Sequence, residues 1–280
     1  MKELSVLITG IVVIGLVTSS FLGGCTSTDT SKLQVITTTS LLTYIVEQVG
    51  GDLVDVTSLI LGSQHPGDFD ASPQDIQNLA DADLFLYHGW PGETFVPDLI
   101  EATDNPDLTV VKIEVAGNWM TPPVQIAATE LVAAFLSDID ISNATTYEQS
   151  AEDYKAAVLE KGNEILARLS DTNVPGAITL CTYWQVGFAE WVGLQVVASY
   201  GPAELTPQDT QELIDTGRAE NVELVIDNLQ SGRDAGEAIA DELDCARVIF
   251  SNFPGGYNDT ETWEEAIDYN IDLLLEEMAP

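Results

Sequence analysis

Two sets of alternating strands and helices constrain the fold of this chain more than any other feature. The first set begins with the apolar strand 33–37 and ends near Ile113, and the second begins at Ala177 and runs to Met278. Strands that alternate with helices form parallel sheets. The sequence therefore predicts an α/β fold with two doubly wound parallel-sheet lobes, for which 280 residues are sufficient.

One long amphipathic helix is predicted between the lobes. It begins after Asn143, and its apolar face carries Tyr147, Ala151, Tyr154, Val158, Ile165 and Leu169. A helix of about 27 residues would be roughly 40 Å long and would fix the distance between the lobes. Ligands of open α/β sheets lie beyond the carboxyl ends of the strands, so we expect a ligand cleft between the lobes.

The amino-terminal segment resembles an export signal. Leu4 to Leu22 form an apolar run after Lys2, and Leu22-Gly23-Gly24-Cys25 resembles a lipobox, in which cleavage leaves Cys25 to carry a lipid. An uncut signal anchor is the alternative, because the run is also long enough to span a bilayer. The predicted organisation is a signal peptide at 1–24, a lipidated tether at 25–32, an N-terminal α/β lobe at 33–140, a linking helix at 141–172 and a C-terminal α/β lobe at 173–280.

The charge of the chain is strongly acidic. Lys and Arg number 9 against 46 Asp and Glu, which gives a formal net charge of -37. Such a charge repels nucleic acids and anionic bilayer surfaces, so nucleic acid is not an expected partner. Because salt screens this self-repulsion, the composition predicts a halophilic protein; an ordinary acidic surface that keeps the chain soluble is the alternative.

The sequence lacks the motifs that mark common catalytic sites. It contains no phosphate-binding G-x-x-x-x-G-K-[ST] or G-x-G-x-x-G loop, no G-x-S-x-G turn and no H-E-x-x-H helix. The chain is therefore not expected to be an enzyme. Beyond Cys25 it has only Cys181 and Cys245, for which one disulfide and two buried free thiols are both open.

Several segments together resemble one protein family. They are Ile36 to Ser40, Ile45 to Gly51, Val56 to Ile60, Asp68 to Asp75, Ala80 to Leu84 and Asn143 to Tyr154. The chain resembles the zinc and manganese solute-binding lipoproteins of ABC transporters, which have two lobes joined by a rigid helix. The resemblance implies a monomeric receptor, lipid-anchored on the extracellular face of the membrane, that passes its solute to a permease and an ATPase.

The metal site that this family implies is altered here. Members hold the metal with three histidines and one carboxylate, whereas this chain has only His65 and His88. The first family histidine position falls at Gly67, the second lies in a loop without histidine, and the third falls near Thr182; Asp227 fills the carboxylate position. The remaining candidate ligands for a transported divalent metal, Zn or Mn, are His65, Asp68 and Asp227.

Aromatic residues in the predicted cleft loops indicate a second possibility. Candidate ligand-binding residues are His88, Trp90, Trp119, Thr182, Tyr183 and Trp184. Aromatic faces hold flat organic molecules or organic cations, for which Asp227 would be a counter-charge. Alternatively, Trp119 and Trp184 fill the volume of the lost metal site. A surface adhesion or interaction protein that kept the fold is the third possibility.

Overall fold

The computed structural model describes residues 32–201 and 204–279. The predicted signal peptide and Cys25 lie outside these residues. The first lobe contains β1 (Leu33–Thr39), α1 (Ser40–Gly50), β2 (Val54–Ile60), α2 (Pro73–Ala80), β3 (Leu84–Tyr87), α3 (Val96–Thr103) and β4 (Thr109–Lys112). Its four strands are parallel and lie in the order β2-β1-β3-β4.

Both faces of this sheet are covered, because successive strand residues point to opposite faces. Val35 and Leu84 pack in the large core with α1, whereas Ile36 and Phe85 pack in a second core beneath α2 and α3. All four side chains are 5% exposed or less. The sheet is therefore buried on both sides, and the continuous apolar run of β3 is typical of such a sheet.

Two helices follow the first lobe, α4 (Pro122–Ile139) and α5 (Ala144–Leu169). The long helix α5 was predicted and is confirmed, but α4 was not predicted. Polar residues interrupt the buried stripe of α4, which obscures its helical period. Gln125 and Thr129 are fully buried there; Gln125 Nε2 donates a hydrogen bond to Tyr154 of α5 (2.9 Å), and Thr129 Oγ1 donates to the Gln125 carbonyl (2.8 Å).

The second lobe repeats the plan of the first. It contains β5 (Ile178–Thr182), α6 (Val186–Trp191), β6 (Gln195–Tyr200), α7 (Pro207–Glu220), β7 (Leu224–Asn228), α8 (Glu237–Leu243), β8 (Ala246–Phe250) and α9 (Trp263–Glu277). Its strands are parallel in the order β6-β5-β7-β8. Cys181 is buried in β5 and Cys245 precedes β8, and both are free thiols. The prediction of two parallel-sheet lobes with a long helix between them is confirmed.

Ion pairs tie α5 to the last helix of the second lobe. Lys161 Nζ lies 3.0 Å from Asp268, and Arg168 lies 2.6 Å from Asp272. These contacts attach the long helix to α9.

Within 32–201 and 204–279, no helix combines the length and the hydropathy that a membrane span requires.

Candidate functional site

A cavity of about 700 Å³ lies between the lobes, at the carboxyl ends of the strands. The first lobe contributes Leu41 and the segments 65–67, 90–92 and 117–119; the second contributes Tyr183, Trp184, Asn228, Gln230, Ser231, Asn252 and Phe253. Among the described residues that line it, none is Asp, Glu, Lys or Arg. The cavity is therefore largely apolar, with amide groups as its main polar atoms.

Hydrogen bonds across the cleft hold the two lobes together around this cavity. Asn118 Nδ2 donates to the Trp184 carbonyl (2.8 Å) and to Asn252 Oδ1 (3.1 Å). Gln230 Nε2 also donates to the Gly62 carbonyl (2.7 Å). Gly62 leaves no space for a side chain, since a Cβ atom there would lie 2.1 Å from the Pro254 carbonyl oxygen. The lobes are thus in direct contact beside the cavity.

Glu93 fixes the loop that carries Trp90. Its carboxylate accepts hydrogen bonds from the backbone N–H groups of His88, Gly89 and Trp90, and from Thr38 Oγ1. Burial raises the pKa of Glu93, while these donors act in the opposite direction by stabilising the charged form. The Trp90 ring is therefore presented by a preorganised loop.

His88 packs against the Trp90 ring of this loop. Its ring stacks on Trp90 with centroids 3.6 Å apart, and its Nε2 forms a 2.7 Å hydrogen bond with Thr39 Oγ1. It is 2% exposed, and burial lowers its pKa well below the ordinary value, so the ring is neutral at neutral pH. His88 is not one of the described cavity-lining residues, and neither is Thr182, which is 3% exposed at the end of β5.

The predicted aromatic residues have two different environments. Trp119 is 3% exposed; its Nε1 donates to the Val115 carbonyl, and its own carbonyl accepts from Trp263 Nε1 (3.2 Å). It mainly packs the lobes together. Tyr183 and Trp184 line the cavity from the second lobe, and Tyr183 is 58% exposed. Trp90 lies beside Phe253, with ring centroids 6.2 Å apart.

The three predicted metal ligands are not brought together. His65 lines the cavity, and its Nδ1 accepts a hydrogen bond from Gly67 N (3.0 Å). Asp68 is exposed and does not line the cavity. Asp227 has no solvent exposure and receives hydrogen bonds from three donors: Tyr200 OH (2.7 Å), Gly236 N (2.8 Å) and Arg247 Nε (2.8 Å).

In the part of the chain that the structure describes, no group of three or more His, Cys, Asp or Glu side chains is placed to hold a metal. Asp227 is also neutralised by Arg247, so it is not a free counter-charge for an organic cation. Asp227 is unavailable to a ligand because its carboxylate lies inside the second lobe. Gly236 and Arg247 belong to the loop before α8 and to β8, and they surround the carboxylate inside the second lobe.

Several cavity residues were missed by the sequence reasoning. Gln230 and Ser231 lie in the loop that follows β7, but they were not singled out from the sequence. Asn252 and Phe253 follow directly after β8, so the same rule, that ligands lie at strand ends, identifies them too. No sequence signal identifies Arg247 as the partner of Asp227.

Comparison with known proteins decides the family. The family model described as "Zinc-uptake complex component A periplasmic" (ZnuA) matches residues 35–277. This chain belongs to the ZnuA family. Two solved structures support the fold: a ZnuA crystal structure (TM-score 0.75, 18% identity, 89% of this chain and all of that one) and FpvC from Pseudomonas aeruginosa in complex with Mn²⁺ (TM-score 0.75, 20% identity, 88% and 98%).

Curated relatives of this ZnuA-family protein are named as transporter lipoproteins. The metal ABC transporter substrate-binding lipoprotein ScbA of Streptococcus cristatus is 27% identical over 187 residues, which are 58% of this chain and 59% of ScbA. The manganese ABC transporter substrate-binding lipoprotein PsaA of Streptococcus pneumoniae is 26% identical over 150 residues, 46% and 48% of the two chains. The matched region thus spans about half of these relatives' length.

Proposed function

We propose that this protein is the extracytoplasmic solute receptor of an ABC importer of the zinc/manganese-uptake type, and not an enzyme. The observation that supports this best is the interlobe cavity, which strand-end loops of both lobes line together in a member of the ZnuA family. A solute enclosed between two lobes contacts both of them, so its binding stabilises the closed arrangement. A permease can then distinguish the loaded receptor from the empty one.

The anchoring proposal rests on the sequence and on the relatives' names. Cys25 follows a lipobox-like Leu22-Gly23-Gly24, and the relatives ScbA and PsaA are named lipoproteins. We propose that Cys25 carries the lipid, that 25–32 is a tether, and that the receptor works as a monomer beside its permease and ATPase. Cys25→Ser should release or misprocess the protein, which detergent-phase partitioning and the mass of the product measure; a variant as firmly membrane-bound and as fully processed as the parent contradicts this anchor.

The solute is the finer part of the proposal. The names of the relatives favour zinc or manganese as the solute. The predicted ligands of such a metal are His65, Asp68 and Asp227. In the structure these three side chains do not form a metal-binding group, which supports the loss of the family's three-histidine site in this chain. We follow the geometry, because it concerns this chain's own residues, and propose that the cavity no longer grips a bare divalent cation with the family ligands.

Transport is tested in the producing cell. Deletion of the gene should abolish uptake of one solute, found by mass spectrometry of spent medium and by elemental analysis of the cells for zinc and manganese. The full-length receptor should also co-purify with a membrane permease from solubilised membranes. Absence of both an uptake defect and a co-purifying permease contradicts the receptor function and leaves the adhesion alternative.

A further inference from the structure

Two buried N–H groups on residues that line the interlobe cavity have no hydrogen-bond acceptor among the described residues. They are the Nδ2 amide of Asn228, whose side chain is 1% exposed, and the indole Nε1 of Trp184; both atoms are buried, and both residues line the cavity. A buried donor without an acceptor costs free energy, so such groups mark a place where a partner belongs.

The orientation of the Asn228 amide is set by its neighbours. Its Oδ1 accepts hydrogen bonds from the backbone N–H groups of Gln230 (3.1 Å) and Ser231 (2.8 Å), which leaves Nδ2 as the free end. A flipped amide would bring N–H groups against N–H groups. The unpaired group is therefore a donor by necessity.

The other amide oxygens of the cavity are already used. Asn118 Oδ1 accepts from Met120 N (2.8 Å), Gln230 Oε1 accepts from Asn252 N (3.0 Å), and Asn252 Oδ1 accepts from Asn118 Nδ2. A bare cation needs oxygen or nitrogen lone pairs, whereas the free polar groups here include two N–H donors. The polarity of these two groups suits a solute that brings acceptor atoms.

Shape and charge narrow the solute class further. A volume of about 700 Å³ lies in the range of small-molecule sites, and Trp90, Phe253 and Tyr183 supply aromatic walls that suit a flat molecule. No described lining residue is an acid, Lys or Arg. The net charge of -37 repels anions at long range, and Asp227, the nearest acid in sequence to Asn228, is paired with Arg247.

We infer that the interlobe cavity binds an uncharged, flat organic solute whose acceptor atoms pair with Asn228 Nδ2 and Trp184 Nε1. This inference rests on the proposed receptor function and names the class of its solute. The apolar walls contribute burial of the ring system, and the two N–H groups select carbonyl or ring-nitrogen acceptors over hydrocarbons of the same shape.

Two substitutions remove these donors. Trp184→Phe keeps an aromatic ring and deletes the indole N–H. Asn228→Asp keeps an oxygen that accepts from the backbone N–H groups of Gln230 and Ser231, but replaces the donor by a second carboxylate oxygen. Matched controls away from the cavity are Trp191→Phe on α6 and Asn173→Asp, which is exposed.

Calorimetric titration of the purified full-length protein with nicotinamide, uracil and lumichrome, and separately with Zn²⁺ alone and Mn²⁺ alone, tests the inference. We expect saturable binding of at least one organic probe, weakened about tenfold or more by each cavity variant and unchanged in the controls. Asn228→Asp reverses the preference of the site, because a carboxylate repels acceptors and attracts cations.

Two outcomes overturn the inference. One is failure of all three organic probes to bind at about 1 mM. The other is tight stoichiometric binding of Zn²⁺ or Mn²⁺ by the unmodified protein. Neither outcome affects co-purification with the permease, so an error in the solute class is distinguishable from an error in the receptor function.

Discussion

Arg247 and Asp227 form an ion pair inside the second lobe, with Arg247 Nε 2.8 Å from Asp227 Oδ2 and the Asp227 side chain fully buried. Asp227 was predicted from the sequence to fill the carboxylate position of the family's metal site, but its charge is paired with that of Arg247 inside the lobe. Tyr200 and Gly236 bind its other oxygen. The carboxylate thus stabilises the junction of β7, β8 and the loop before α8.

Removing Arg247 should therefore destabilise the protein. Arg247→Ala leaves the buried Asp227 carboxylate without its counter-charge, and we expect a loss of about 3 kcal/mol of unfolding free energy in urea. Arg218→Ala, which breaks an exposed pair with Glu242, is the control and should cost less than about 1 kcal/mol. Equal losses in the two variants would contradict a structural role for the buried pair.

The contact between Gly62 and Pro254 should control closure of the cleft. Gly62→Ala places a methyl group against the Pro254 carbonyl, so the lobes must separate there, and we expect a larger radius of gyration in X-ray scattering. The far-UV circular dichroism spectrum should stay the same, because the secondary structure of each lobe is retained. Ser63→Ala, at the exposed neighbouring position, should leave the scattering curve unchanged. An unaltered radius for Gly62→Ala would mean that this contact does not hold the lobes closed.

Asp140 should give an acid-sensitive contribution to stability at the start of α5. The hydrogen bond from Asn143, together with those from Ser142 and Tyr147, lowers its pKa below the ordinary value. Its contribution is therefore present above the unfolded-state pKa and is lost as the pH falls through the folded-state pKa. Asp140→Asn should cost about 1 kcal/mol at neutral pH and nothing in strong acid.

Urea unfolding of Asp140→Asn and of the parent at several pH values checks this. The difference between the two should shrink steadily as the solution is acidified. Asp138→Asn, at an exposed neighbouring position, is the control and should show no such trend. A pH-independent difference for Asp140→Asn would show that its hydrogen bonds do not depend on the charge.

Salt should raise the melting temperature. The net charge of -37 gives strong repulsion among surface carboxylates, and the screening length falls from about 10 Å at 0.1 M to about 3 Å at 1 M salt. We expect an increase of roughly 5 °C or more over this range in calorimetry. A flat melting temperature would support the ordinary acidic surface and argue against a halophilic protein.

The strand and helix pattern predicted the fold because tertiary packing here follows local periodicity. Apolar residues of β1, β3 and β7 are buried on both faces of their sheets. Helix α4 was not predicted because its burial does not follow the local apolar period. Gln125 and Thr129 are buried only because they find hydrogen-bond partners on α4 and α5, and a single sequence does not display those partners.

The candidate site was predictable in position but not in chemistry. Strand ends located the loops that carry His65, Trp90 and Trp184, which all line the cavity. Asp227 and Arg247 are 20 residues apart in the sequence. Their pairing depends on how β8 and the loop before α8 pack around Asp227, and no sequence motif predicts it. The unpaired donor of Asn228 likewise depends on the turn that brings two backbone N–H groups to its oxygen.

The composition of the natively purified receptor tests the central claim most directly. Protein taken from its own cells without chelators should be analysed for metals by elemental analysis and for small molecules by mass spectrometry, alongside the Trp184→Phe variant. We predict an organic molecule at about one per chain that Trp184→Phe loses, with zinc and manganese far below one per chain. One equivalent of zinc or manganese, unaffected by Trp184→Phe and with no organic molecule present, would contradict the account.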